Sequence, residues 1–178
     1  MTSKPTTADG YSEQQVERVR ATCLYVATRL GDLMNDLVVV GGLVPSLIID
    51  QSNLARGVER HVGTMDLDIG LSLAVFDDAQ YRTISERFRR AGFEPDSNEQ
   101  GNRTNQRWRI GDPGIMVDFL IAPSRDDDLG GRVRNLEEDF AALIVPGLHL
   151  AFRDQISVTL SGQTILGESA NGLRASNS

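Results

Sequence analysis

The stretch Thr64–Leu71, TMDLDIGL, limits the fold of this chain more tightly than any other. Thr64, Asp66, Asp68 and Gly70 fall on one side of a two-residue period, and Met65, Leu67, Ile69 and Leu71 fall on the other. Such alternation predicts a half-buried strand with one apolar face and one face carrying two carboxylates, their Cβ atoms about 6.5–7 Å apart. Carboxylates that close repel, so a shared proton or a cation must settle between them. Magnesium suits the place, because it takes oxygen ligands and keeps positions for water and substrate phosphates. Two acids on a solvated strand face are the plain alternative.

A third acid sits in apolar company. Asp118 interrupts Ile115–Ile121, IMVDFLI, where an unpaired buried carboxylate is costly. It must meet a cation, accept hydrogen bonds from an arginine or loop amides, or stay neutral. If the two strands are neighbours, Asp66, Asp68 and Asp118 converge, and three acids can hold two metals about 3.5–4 Å apart. Upstream, the β-branched run Leu37–Val40 stops at Gly41-Gly42, and Pro45 follows near the start of an apolar segment. Strand, glycine turn and short helix is the natural reading, with exposed backbone N–H groups and a helix start favouring a phosphate chain. A hairpin turn at the glycines is the competing reading.

The remaining pattern predicts one α/β (α+β) domain over residues 11–166, a mixed sheet flanked by helices, between loose ends at 1–10 and 167–178. Apolar residues at helical spacing from Val16 to Leu30 predict a helix, with Ser12 as N-cap and Gly31 as stop. A second helix runs from Asp77 or Asp78 to about Ala91, turning Tyr81, Ile84, Ser85 and Phe88 inward, and Gly92 ends it. Phe93–Pro95 adds a short strand. Gln106–Ile110 and Ile115–Ile121 form a hairpin across Gly111-Asp112-Pro113-Gly114. Residues 51–63 and 96–105 read as polar loops, Asp126 to Asp139 as an acidic surface loop, and Leu148–Phe152 and Ile156–Leu160 as weak strands. A net charge of −7 removes the easy case for a nucleic-acid surface. Cys23 is the only cysteine, which excludes an intrachain disulfide, and no run is apolar enough for a membrane span. The expected setting is cytoplasmic.

Gly41-Gly42, then Thr64-x-Asp66-Leu67-Asp68, then the acid in VDFL resemble the polymerase-β-like nucleotidyltransferase superfamily. The wider string GG…GTMDLDIGL…RRAGF…VDFLI looks most like its AbiEii-type members, toxin components of toxin–antitoxin pairs. The resemblance covers roughly Leu37 to Ile121. It implies a nucleotidyltransferase-like fold and Mg²⁺- or Mn²⁺-dependent transfer of a nucleoside monophosphate from an NTP to a hydroxyl of RNA (a tRNA end) or protein. By position, Asp66, Asp68 and Asp118 would be the catalytic metal ligands, and Gly41, Gly42 and Thr64 would contact the triphosphate. A cognate antitoxin or partner chain is implied as well. Two features depart from the pattern: Leu43 follows the glycine pair where a hydroxyl residue is usual, and the chain closes in GESANGLRASNS where relatives continue into helices with a basic residue. These keep open an alternative, a catalytically inactive interaction module or one half of a split enzyme. Arg107 and Arg109 share a strand face opposite Trp108, and Arg56, Arg60 and His61 border the D-x-D strand. Most arginines are expected to pair with the surplus acids, with Arg60 and Arg107 reserved for the nucleotide.

Overall fold

The computed structural model describes residues 13–49, 64–74, 76–98, 100–112, 114–153 and 155–177, the last seven by backbone only. Helix α1, Glu13–Leu30, buries Val16, Val19, Cys23, Val26, Ala27 and Leu30 on one stripe. Gly31, at φ +57°, diverts the chain into a 3-10 segment, Gly31–Asp36, before strand β1, Leu37–Val40. A further 3-10 turn, Gly41–Leu43, leads to the five-residue helix α2, Val44–Ile48, with Pro45 in its first turn. Strand β2, Asp66–Leu71, and helix α3, Asp78–Arg90, come next.

Helix α3 shows how local signals fix an element's ends. Asp77 accepts from the Gln80 N–H, and the Gln80 side chain accepts from the Asp77 N–H, so two orphan donors are satisfied reciprocally. At the other end Gly92, at φ +84°, gives its N–H to Arg89 while Phe93 bonds back to the Phe88 carbonyl, a left-handed stop. Tyr81, Ile84, Ser85 and Phe88 are the buried positions between, as the spacing predicts.

Strands β3 (Glu94–Ser97), β4 (Arg103–Ile110), β5 (Ile115–Ile121), β6 (Val133–Glu137), β7 (Phe140–Ile144), β8 (Ile156–Gln163) and β9 (Ser169–Asn177) complete the chain. The architecture is α+β: a mixed sheet whose main path runs β3-β4-β5-β2-β1-β9-β8, with β7 and β6 branching from β5. β2 takes one edge of β5 in parallel; the other edge is shared by antiparallel β4 and, further on, parallel β7. Helices α1 and α3 cover the face formed by Leu37, Val39, Leu67, Ile69, Val117 and Phe119. Phe88 anchors this core, with rings of Phe93, Trp108 and Phe119 at 4.4, 5.7 and 5.1 Å. Residues Leu148–Phe152 cover part of the opposite face, over Val38 and Leu120.

Four expectations need correction. The loose end expected at 167–178 contains β9, which pairs with β8 through a long antiparallel register and reaches β1 at Val39. Backbone pairing, which a poor apolar content does not forbid, holds it there. Leu148–Phe152 is a 3-10 helix and not a strand, set off by Gly147 at φ +84°. The stretch read as a loop up to Asp139 includes β6, and Phe140–Ile144 is a buried strand that the pattern had not marked. Strand β4 also begins earlier, at Arg103, inside the expected polar loop. Ser12, the loop at 51–63 and the leading tail lie outside the described residues.

Candidate active site

Register decides whether the three acids meet. Along β2 and β5, Asp66 stands opposite Met116, Asp68 opposite Asp118 and Gly70 opposite Leu120. Opposed residues of a parallel pair share a face, so Asp66, Asp68 and Asp118 all leave the sheet on the side away from α1 and α3. Leu67, Ile69, Val117 and Phe119, the residues between, are fully buried on the other side. The three acids therefore share one face of the sheet.

The glycine turn closes the group from the next strand. β1 runs antiparallel to β2 with Val40 opposite Asp68, so the chain leaves β1 directly beside that carboxylate. Gly41 adopts φ +77°, and a Cβ there would collide with Asp68 Oδ2 and lie 3.3 Å from its Cγ. Both the left-handed backbone and the absent side chain are thus required at this residue. Helix α2 is too short to supply much dipole, so the phosphate-facing part of the expectation falls to the glycine turn. Ser46, the nearest hydroxyl after the glycines, donates to the Leu43 carbonyl at 2.6 Å.

Arg107 comes from the third strand. It stands opposite Asp118 in the β4–β5 register, and its Nε and Nη2 donate to Asp118 Oδ1 and Oδ2, each at 2.7 Å. The Asp118 side chain is 11% exposed and that of Arg107 40%. This fork-to-fork geometry satisfies the buried carboxylate that the apolar strand made costly. The Asp118 carboxylate, through these hydrogen bonds, holds the Arg107 guanidinium above its ordinary range, and the charge of Asp66 adds to the effect. Arg107 is thus both the partner of the third acid and the neighbour of the first.

Thr64 is buried and donates its hydroxyl to the Asp66 carbonyl at 2.7 Å, which braces the entry to β2. Gly42 lies within the 3-10 turn. Arg109, on the same face as Arg107, reaches Glu94 at 3.3 Å. Arg56, Arg60 and His61 lie outside the described residues. Trp108 is fully buried on the core side, as expected.

Gly70 is a residue whose importance the alternation pattern did not show. A Cβ there would sit 2.8 Å from Val38 Cγ1, so a side chain at this position would force Val38 of β1 to move, whereas Leu148 Cδ1, at 3.4 Å, would be in ordinary contact. The available signal was a glycine inside an otherwise aliphatic strand. The 148–152 segment divides the face into an apolar end under Leu148 and Phe152 and an acidic end that it leaves aside.

A hard divalent cation fits this donor set in kind, since every candidate ligand is a carboxylate oxygen on one face. As placed, however, both Asp118 oxygens are turned to Arg107, and among the described residues no three acids, histidines or cysteines stand close enough to share an ion. Asp66 and Asp68 are the residues that would hold it, and Asp118 could join, through lone pairs that the Arg107 fork leaves, only by moving closer to them. Compared with protein-family models, curated proteins and solved structures, the chain matches none. Among the described residues no helix is long and apolar enough to cross a membrane.

Proposed function

We propose that the acidic end of this sheet face is the active site of a metal-dependent nucleotidyltransferase. One observation carries the reading: Asp68 is in register with Asp118 on one side and abuts Gly41 on the other, with Asp66 two residues along the same face. Glycine turn, paired acids and third acid, far apart in the chain, thus belong to one patch. Asp66 and Asp68 would hold Mg²⁺ or Mn²⁺, and Gly41 and Gly42 would admit the triphosphate without steric conflict. Arg107 would trade the Asp118 carboxylate for phosphate oxygens, an exchange between two anions of matching fork geometry. The cation would neutralise triphosphate oxygens and make an acceptor hydroxyl more acidic. The acceptor, an RNA or protein hydroxyl, and a cognate antitoxin as partner rest on the sequence resemblance alone.

The test is label transfer. Incubation with Mg²⁺, each labelled NTP and total RNA or protein extract should mark an acceptor with the native chain and not with Asp66→Ala. Absence of transfer together with absence of NTP binding by calorimetry would reject the enzyme. A second reading, an inactive nucleotidyltransferase-like module that docks a partner chain, is favoured by the Arg107 clamp, since it occupies the third acid. The two separate cleanly: the enzyme binds NTP more tightly with Mn²⁺ than without, whereas the module shows no metal dependence.

A further inference from the structure

Helices α1 and α3 are tied together at their C-terminal ends on the side of the sheet opposite the acids. Tyr25 donates to the Ala91 carbonyl at 2.9 Å, and Arg87 donates to the carbonyl of Leu30. Between them lies a hollow of about 300 Å³ lined by Tyr25, Arg29, Arg87, Arg90 and Ala91. Three of its five lining residues are arginines, and among the described residues no carboxylate lines it. In a chain with 25 acids and 18 basic residues, convergence of three guanidinium groups on one concavity runs against the average charge.

Two of the three arginines are held in place. The Arg29 guanidinium lies over the Tyr25 ring, 4.6 Å from its centre, and Arg87 is fixed by the Leu30 carbonyl and by Asp32 at 2.7 Å. The acidic partners of all three sit in water at the rim: the side chains of Glu168, Asp32 and Glu86 are 47%, 77% and 50% exposed. Exposed ion pairs of this kind are weak and yield readily to a better anion. Arg29 also keeps its Nε–H buried with no hydrogen-bond acceptor among the described residues. Arginines in a last helical turn offset the partial negative charge of the helix end. That role requires no shared hollow.

We infer that this hollow is an oxyanion site for a phosphate group, supplied by a small phosphorylated compound or by a nucleic-acid backbone. Planar guanidinium forks match phosphate oxygens in pairs, and Arg29 and Arg87, already fixed, lose little freedom on binding. The site is separate from the acidic patch, with the sheet between them.

Metal-free calorimetry with pyrophosphate tests it on the full chain. The native chain and Arg132→Gln, an exposed arginine that does not line the hollow, should bind alike, while Arg29→Gln and Arg90→Gln should each weaken binding at least about tenfold, the worth of one charge-assisted hydrogen bond. Arg90→Gln carries the test by itself should Arg29→Gln not fold, because the Arg90 side chain is 79% exposed. No binding by the native chain, or equal binding by Arg90→Gln, overturns the inference. Competition then identifies the source: displacement by short single-stranded RNA points to a backbone phosphate, and displacement by glycerol phosphate alone points to a small compound.

Discussion

The two faces of the β2–β5 pair are built from alternate residues of the same two strands, yet they answer to different physics. On one face Leu67, Ile69, Val117 and Phe119 are fully buried against α1 and α3. On the other, one step along each strand, stand Asp66, Asp68 and Asp118. The apolar face is held by area removed from water and by close packing, which any good core provides. The acidic face is held by specific pairing: Arg107 on Asp118, and Gly41 against Asp68. The lesson is that one strand can present a packed apolar face and a specifically paired acidic face at once, because the pleat keeps the two apart.

Neighbouring substitutions in β5 give the largest contrast. Phe119→Ala should cost about 3–5 kcal/mol, the range for losing a large buried ring, as read from urea midpoints. Asp118→Ala should cost about 1–3 kcal/mol through the lost charge-assisted pair with Arg107, and should abolish the proposed label transfer. Equal stability losses with transfer intact in Asp118→Ala would break the distinction between the faces.

Gly41→Ala should cost about 1–2 kcal/mol for the left-handed backbone alone. It should also reduce NTP binding more than its stability loss implies, because the new methyl displaces the Asp68 carboxylate. Titration of ATP analogues into Gly41→Ala and into Gly92→Ala, another positive-φ glycine with open space around its Cβ position, separates the two effects. Comparable binding by both would leave Gly41 a purely structural glycine.

Smaller effects come from pH. On the apolar side Cys23 is buried and its thiol is pushed up from 9.0 to about 12 by desolvation. A raised folded value means stability is full below the ordinary value and declines as pH rises from 9.0 toward 12. Native Cys23 should accordingly resist an alkylating reagent that the urea-unfolded chain consumes rapidly; equal rates would contradict the burial. Away from the core, the Ser124 N–H, with that of Arg125 and the charge of Arg134, holds Asp128 below its ordinary 3.8. A lowered folded value gives stability that is present above 3.8 and lost as pH falls through the folded value. Asp128→Asn should therefore flatten the acid limb of the stability profile, measured by thermal melts from neutral pH downward.

Elements with strong local signals were legible residue by residue. The Asp77 cap and Gly92 stop of α3, the β1 boundaries, the inward-facing Tyr81, Ile84, Ser85 and Phe88, and the hairpin between β4 and β5 all follow from spacing and turn chemistry. The elements that escaped have weak local signals. β9 is made of small and polar residues apart from Leu173, and its order comes from pairing with β8 across the intervening turn. Phe140–Ile144 is a five-residue apolar run that becomes a strand only because β5 and β6 offer it edges.

For the site the division is similar. Alternation alone set Asp66 and Asp68 on one face, since the side-chain period of a strand is two whatever surrounds it. That the chain needs glycine at 41, and that Asp118 is answered by Arg107, are facts of register. Register depends on which strands become neighbours and on how far each slides, a choice made by the whole core and by no single segment. The amino-acid sequence therefore determined which side chains share a strand face, and the tertiary structure determined which faces meet.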